Sequence, residues 1–261
     1  MIDTNYRYLG SCVLLAAAMA MASPSLAADM HDGASMKDMV EPEEMGGLWN
    51  GFYMGVHAGF GSGSFSATEV DPFFAALIDE ELDHDPAGGV FGIQLGYNWQ
   101  RSRWVFGIEG DVALSTVEGD LTYDFDVPTV GVDTFTSTES FELKYLTTLR
   151  GRIGVDVGGS VLVYATGGLA LGKVDASFST TVVGAGLLPD GTASGSDSAT
   201  HVGYAVGGGV EAWLRNDISV RAEYLYADLG EEVYQPVAGF AGEPFDLDMH
   251  LVRFGLNYHF Y

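Results

Sequence analysis

The chain has one cysteine in 261 residues, Cys12. It falls in an N-terminal stretch with the marks of a secretion signal: Arg7, an apolar run over 12–22, and then Ser25-Leu26-Ala27, the small-x-small form of a leader-peptidase site. Cleavage at Ala27 or Ala28 is expected, and the remaining chain then has no thiol. Disulfides, cysteine nucleophiles and thiolate metal sites are excluded with it. Leu9-Gly10-Ser11-Cys12 is a poor lipidation site, because its cysteine begins the apolar run instead of ending it. Basic charge is scarce, with 11 Lys and Arg against 36 Asp and Glu and a net charge of -25. Nucleic acid is excluded as a partner, since neutralising phosphate needs clustered bases. Long apolar runs are missing too. Beyond the signal no stretch reaches the roughly 18 apolar residues of a helical span, so a membrane can be crossed only by strands.

Residues 28–47 are polar, acidic and methionine-rich, without helix or strand periodicity, and read as a disordered periplasmic leader. Met30, His31, Met36, Met39 and Met45 are soft-metal ligand types, but their irregular spacing favours a plain linker and no metal site is assigned. From Trp49 onward, strand-like segments of about ten residues alternate with connections that are by turns short and long, the pattern of a transmembrane barrel. Eight segments are expected, over 50–61, 89–100, 104–118, 141–156, 160–173, 200–214, 218–229 and 249–261. The fold class is therefore all-β, an eight-stranded antiparallel transmembrane barrel over 48–261 with short periplasmic turns and long outer loops. Those loops are expected to hold most of the acid: Glu69, Asp71, Asp79, Glu80, Glu81, Asp83 and Asp85; then Asp120, Asp124, Asp126, Asp133 and Glu139; and finally Glu231, Glu232, Glu243, Asp246 and Asp248.

The last segment shows the two faces. Val252, Phe254, Leu256, Tyr258 and Phe260 share one, and Arg253, Gly255, Asn257 and His259 the other. The second segment sets Phe91, Ile93, Leu95, Tyr97 and Trp99 against Gly92, Gln94, Gly96 and Asn98, and the fourth sets Leu143, Tyr145, Leu149, Ile153 and Val155 against Lys144, Arg150 and Arg152. A soluble barrel would pack its apolar face inside and put charge outside. Glycine interspersed with charge instead suits a narrow lumen. Trp49, Phe52, Trp99, Trp104, Tyr224, Tyr226 and Phe260 are expected in interfacial girdles. A soluble ligand-binding barrel is the weaker alternative.

Several motifs add a family resemblance. Trp49-Asn50-Gly51-Phe52-Tyr53, Gly96-Tyr97-Asn98-Trp99, Arg150-Gly151-Arg152-Ile153-Gly154 and Tyr164-Ala165-Thr166-Gly167-Gly168-Leu169-Ala170 are four of them. Two more are Ala222-Glu223-Tyr224-Leu225-Tyr226-Ala227-Asp228-Leu229-Gly230 and Arg253-Phe254-Gly255-Leu256-Asn257-Tyr258-His259-Phe260. Together they resemble the small outer-membrane β-barrel proteins of alphaproteobacteria, the group of 25- and 31-kDa major surface antigens and opacity-type porins. The resemblance implies an outer-membrane location in a Gram-negative cell, passage through the barrel assembly machinery, and an aromatic assembly signal at the C-terminus, here Phe260 or Tyr261. It names no ligand.

By strand parity the inward charges are Glu109, Asp111, Lys144, Arg150, Arg152, Glu211, Arg221, Glu223 and Arg253, with His57 and His259 nearby. Five bases against four acids suggest either a fixed salt-bridge plug, the preferred reading, or a narrow path for slow ion passage. A wide pore is not expected of eight strands. No enzyme activity or cofactor is expected: none of the barrel histidines His57, His84, His201, His250 and His259 sits in a serine-hydrolase motif, and the pair Glu109 and Asp111 reads better as arginine partners than as acid and base. A lipid hydrolase is thus a remote reading. The family resemblance also admits a haem-binding surface as the alternative function, for which His201 or His250, at strand ends beside the outer loops, would be candidates, although their spacing gives it no support. The expected partners are outer-membrane lipid and lipopolysaccharide, bridged by divalent cations to the loop acids. The stretch Asp79-Glu80-Glu81-Leu82-Asp83-His84-Asp85 lacks the spacing of a dedicated calcium loop. Nothing in the leader indicates a peptidoglycan contact. The expected role is structural support of the envelope.

Overall fold

The computed structural model describes residues 47–67, 83–126, 133–184, 190–234 and 243–260. The signal with Ala27 and Ala28, the leader up to residue 46, the loop acids Glu69, Asp71, Asp79, Glu80 and Glu81, and Tyr261 lie outside them. Eight long antiparallel strands form a ring: β1 (Gly51–Ala67), β2 (Ala87–Arg101), β3 (Trp104–Asp126), β4 (Asp133–Val157), β5 (Val161–Gly184), β6 (Gly191–Arg215), β7 (Ile218–Tyr234) and β8 (Glu243–Phe260). β1 pairs with β2 and also with β8, from Phe52 opposite Phe260 to Ala67 opposite Phe245, which closes the barrel. Asp83–His84 adds a two-residue pairing to β1. No helix among the described residues is long and apolar enough to cross a membrane.

The faces are inverted relative to a soluble barrel. Ile93 is 65% exposed and Leu114 68%, whereas Arg150 and Arg253 are each 1% exposed. Along β2 and β8 the outward apolar belt spans 91–99 and 252–260, about the length a tilted strand needs to cross hydrocarbon. Phe52, Trp99, Trp104, Tyr224 and Phe260 lie on that outer face. Trp49 does not; it is fully buried inside the barrel against Trp213 and His259. The turns below the belt are short. At Gly158 and Gly159, both with positive φ, Asp156 Oδ1 accepts the Gly159 N–H at 2.8 Å.

Several strands run far past the belt, longer than the sequence pattern indicated. Asp120, Asp124 and Asp126 belong to β3, Asp133 and Glu139 to β4, Glu231 and Glu232 to β7, and Glu243, Asp246 and Asp248 to β8, where loops were expected. Thr and Ser side chains facing outward, such as Thr122 and Thr138 at 3.1 Å, keep these extensions paired without apolar alternation. Beyond the Tyr204–Asp228 pair, no pairing joins the described residues of β6 and β7. The barrel there opens into two facing sheets, β3–β6 and β7–β8–β1.

Bulges aim side chains into the space between these sheets. The register slips at Lys144, so that Leu146 points inward below the bulge and Leu143 and Phe141 above it. In β7 it slips between Asp228 and Glu231, where Gly230 takes a φ of 66° and Tyr234 turns inward. Phe141 lies 5.3 Å from Phe245 and 6.2 Å from Tyr234, ring centre to ring centre. With Val117, Val174, Leu225, Leu247, Met249 and Leu251 they form an apolar cap. Burial raises the Tyr234 phenol above its ordinary pKa. It stays protonated and donates to His201 Nε2 at 2.7 Å, while the His201 Nδ1–H donates to the Gly230 carbonyl at 3.0 Å. Phe141→Ala should leave a cavity in this cap and cost about 3–5 kcal/mol. The cost would be read as a lower temperature for loss of heat-modifiable gel migration, with membrane insertion retained because the belt is untouched.

Candidate functional site

Parity along the strands brings charge into the lumen from β3, β4, β6, β7 and β8. Arg150 sits at the centre. Its Nη1 donates to Glu223 Oε1 at 2.6 Å, and its Nη2 to Glu109 Oε1 at 2.7 Å and Asp111 Oδ2 at 3.0 Å. Its Nε donates to Thr148 Oγ1 at 2.9 Å. Arg221 Nη1 donates to Glu109 Oε2 at 2.5 Å. Arg253 bridges Asp111 Oδ1 at 3.1 Å and Glu223 Oε1 at 3.0 Å. Three guanidiniums therefore interleave with three carboxylates, in the geometry that makes charge-assisted hydrogen bonds strong.

A second group lies nearer the periplasmic turns. Arg152 donates to Glu211 Oε2 at 3.0 Å and to Asn98 Oδ1 at 2.8 Å. Its guanidinium packs over Tyr53, 4.6 Å from the ring centre, and over Tyr164 at 5.3 Å. Glu211 Oε1 also accepts from Ser219 at 2.5 Å and from Asn257 at 2.7 Å. The Tyr53 hydroxyl joins the groups by donating to Glu109 Oε2 at 2.6 Å. His57 and Gln94, with Nδ1 and Oε1 2.6 Å apart, continue the network to Asn257.

Inward glycines make room for these large side chains. A Cβ on Gly96 would collide with the Tyr53 phenol, and one on Gly92 would lie 2.5 Å from His57 Nε2. Removing side chains where neighbours must pass is the reason for glycine along this face.

Eight of the nine charges expected inside are together here. Lys144 is the exception: its side chain is 39% exposed and pairs with Glu142 at 2.5 Å on the outer wall. The strand register slips at Lys144 itself, so counting alternate residues from Arg150 places it on the wrong face. The network of expected charges then holds four arginines and four carboxylates, a neutral set, while Glu139, expected in an outer loop, is a further buried acid. His259 is buried beside Trp213, ring centres 4.3 Å apart. His201, expected beside the outer loops, is fully buried beneath the cap. His250 lies on the outer face, its Nδ1 2.6 Å from the Tyr224 hydroxyl. Phe260 faces outward at the end of β8.

The sequence pattern did not point to the apolar closures. Below the charges, Trp49, Val105, Leu162 and Tyr164 pack together with Trp213 against them. Above lies the cap of Phe141, Tyr234 and Phe245. All four carboxylate oxygens of Glu109 and Asp111 accept from Arg150, Arg221, Arg253, Tyr53 or Thr148. Both carboxylates thus act as partners of arginine, tyrosine and threonine. Among the described residues no group of His, Cys, Asp or Glu is arranged to hold a metal ion.

The family model described as outer membrane protein beta-barrel domain matches residues 12–260. The chain is 31% identical to a 31 kDa outer-membrane immunogenic protein of Brucella melitensis, over 96% of this chain and 99% of that one. It is 30% identical to a 22 kDa outer membrane protein of Rhizobium leguminosarum, over 84% and 82%. Among solved structures, the attachment invasion locus protein of Yersinia pestis is 14% identical with a TM-score of 0.35, over 80% of this chain and 99% of that one.

Arg150→Ala should strand three buried carboxylates and cost about 3–5 kcal/mol. Urea unfolding of the vesicle-inserted protein, followed by tryptophan fluorescence, should show it. Removing Glu223 as well should cost less than the sum of the two single changes, because the second removal deletes an acid already left without its strongest partner.

Proposed function

The chain belongs to the outer membrane protein beta-barrel domain family, alongside small outer-membrane antigens, and from that premise we propose that it is a closed structural barrel which reinforces the outer membrane and presents its outer wall and loops at the surface. The observation that carries this reading is the layering of the lumen. A neutral, fully buried charge network lies between an apolar plug at Trp49 and an apolar cap at Phe141.

A conducting path needs polar sites that ions can enter and leave. Here the guanidiniums are held by carboxylates, and both ends of the network are shut by packed aromatic and aliphatic side chains. The relatives carry names of outer-membrane proteins and antigens, not of enzymes, and the lumen acids are wholly engaged. A structural role fits this arrangement better than slow ion passage.

Planar-bilayer recording from the folded protein tests the reading. Silence is expected from protein that still shows heat-modifiable migration, and steady ion-selective openings would overturn it. A strain lacking the chain should take up detergent and large antibiotics faster than its parent.

A further inference from the structure

Of the 11 basic residues, only Lys144 and Lys173 lie on the outer side of the barrel beyond the apolar belt. Arg101, Arg103 and Arg215 border the periplasmic turns, four arginines fill the lumen, and Arg7 and Lys37 precede the barrel. Neither lysine is needed by the lumen, and they stand on adjacent strands. Lys173 pairs with Tyr145, and the bulge sets Lys144 directly beside that pair.

The outward residues of β3 to β6 change in a fixed order along the strands. Leu114, Tyr145, Leu171 and Val202 end the belt. The two lysines follow. Next comes a row of carboxylates, with Glu118 opposite Glu142 and Glu142 opposite Asp175. Above it Ser140, Ser177 and Ser196 face one another across three strands. The acidic and hydroxyl rows and Lys173 line a groove of about 650 Å³. A second groove of about 450 Å³ continues it upward over the same three serines.

We propose that this wall binds the phosphorylated sugar headgroup of an outer-leaflet glycolipid, with Lys144 and Lys173 on its phosphate and the carboxylate and serine rows on its sugar rings. Acyl chain, phosphate and polyhydroxy ring succeed one another in such a lipid in the order in which apolar side chains, ammonium groups and hydrogen-bonding oxygens succeed one another here. The lysine stems lie along the belt edge with their heads at phosphate level. Carboxylates in a row, not gathered around a metal position, are acceptors for vicinal sugar hydroxyls, and serines both donate and accept. The acids stand farther from the bilayer than the lysines, which leaves the positive charge next to the phosphate. Lys144 now pairs with Glu142 at 2.5 Å and lies 3.8 Å from Asp175, partners that can turn to a sugar when phosphate takes the ammonium.

The site rests on the barrel's seating in the outer leaflet and not on its closed lumen, so a conductance result and a lipid-binding result fail independently. The test uses full-length protein purified from outer membranes, stripped of lipid in detergent, and titrated with three probes while native mass spectrometry reads the bound fraction. The probes are a diphosphorylated glycolipid with two core sugars, its phosphatase-treated form, and phosphatidylglycerol. The glycolipid should bind best. Lys144→Gln combined with Lys173→Gln should weaken it about thirtyfold, as expected for two lysines at an anionic surface. Ser177→Trp, which fills the groove, should weaken the glycolipid and spare phosphatidylglycerol. Arg103→Gln, at the opposite rim, should change neither. Unchanged glycolipid binding by the double lysine variant, in protein with normal heat-modifiable migration, would overturn the proposal. Equal retention of phosphatidylglycerol or of the phosphate-free lipid by the unaltered protein would do the same.

Discussion

Arg150 meets three carboxylates within 3.0 Å inside a lumen that is closed at both ends. A charge in that position must be fully compensated, because removing an ion from water costs several kcal/mol unless partners replace the hydration. The constraint propagates outward. Glu109 and Asp111 must reach the axis from β3 and Glu223 from β7, so the strands must hold one register, and the ring must close between β1 and β8 for Arg253 to arrive from the other side. Inward glycines then follow from the bulk of Tyr53, His57 and the arginines. The hydrogen-bonded ladder fixes where each side chain points, and the charges make other registers costly.

The apolar closures protect this arrangement. Water admitted to the network would screen it and open alternatives for each guanidinium. Trp49 and Trp213 block the periplasmic end, with His259 against them. The outer end is sealed by a different device, in which the barrel splits into two sheets that face each other across Phe141, Tyr234 and Phe245. Both bulges serve the cap. Each shifts parity by one, and each does so near the top of the apolar belt, where the lining must change from charged to dry.

One shift has opposite effects on the two faces. The register slip that turns Phe141 and Leu143 inward puts Lys144 outside, in the first polar position above the belt. Loss of one base from the lumen leaves its charge network electrically balanced, and the same base adds to the few positive charges facing the outer leaflet. Interior neutrality and the proposed headgroup site thus both involve the one irregular residue Lys144.

Fold class, strand number and the outward face were legible in the amino-acid order, because a period of two with an apolar outer set survives any detail of packing. So was most of the charged lumen, since Glu109, Asp111, Arg150 and Arg152 keep parity along uninterrupted stretches. Strand length was not, because beyond the belt both faces carry polar residues and pairing rests on backbone bonds and hydroxyl ladders that leave no hydrophobic signature. The placements of Lys144, Trp49 and His201 were decided only by tertiary structure. A bulge is a relation between neighbouring strands, and a tryptophan beside the barrel mouth can lie in lipid or fold inward. The choice depends on what the other strands leave empty, and a one-dimensional pattern does not contain that.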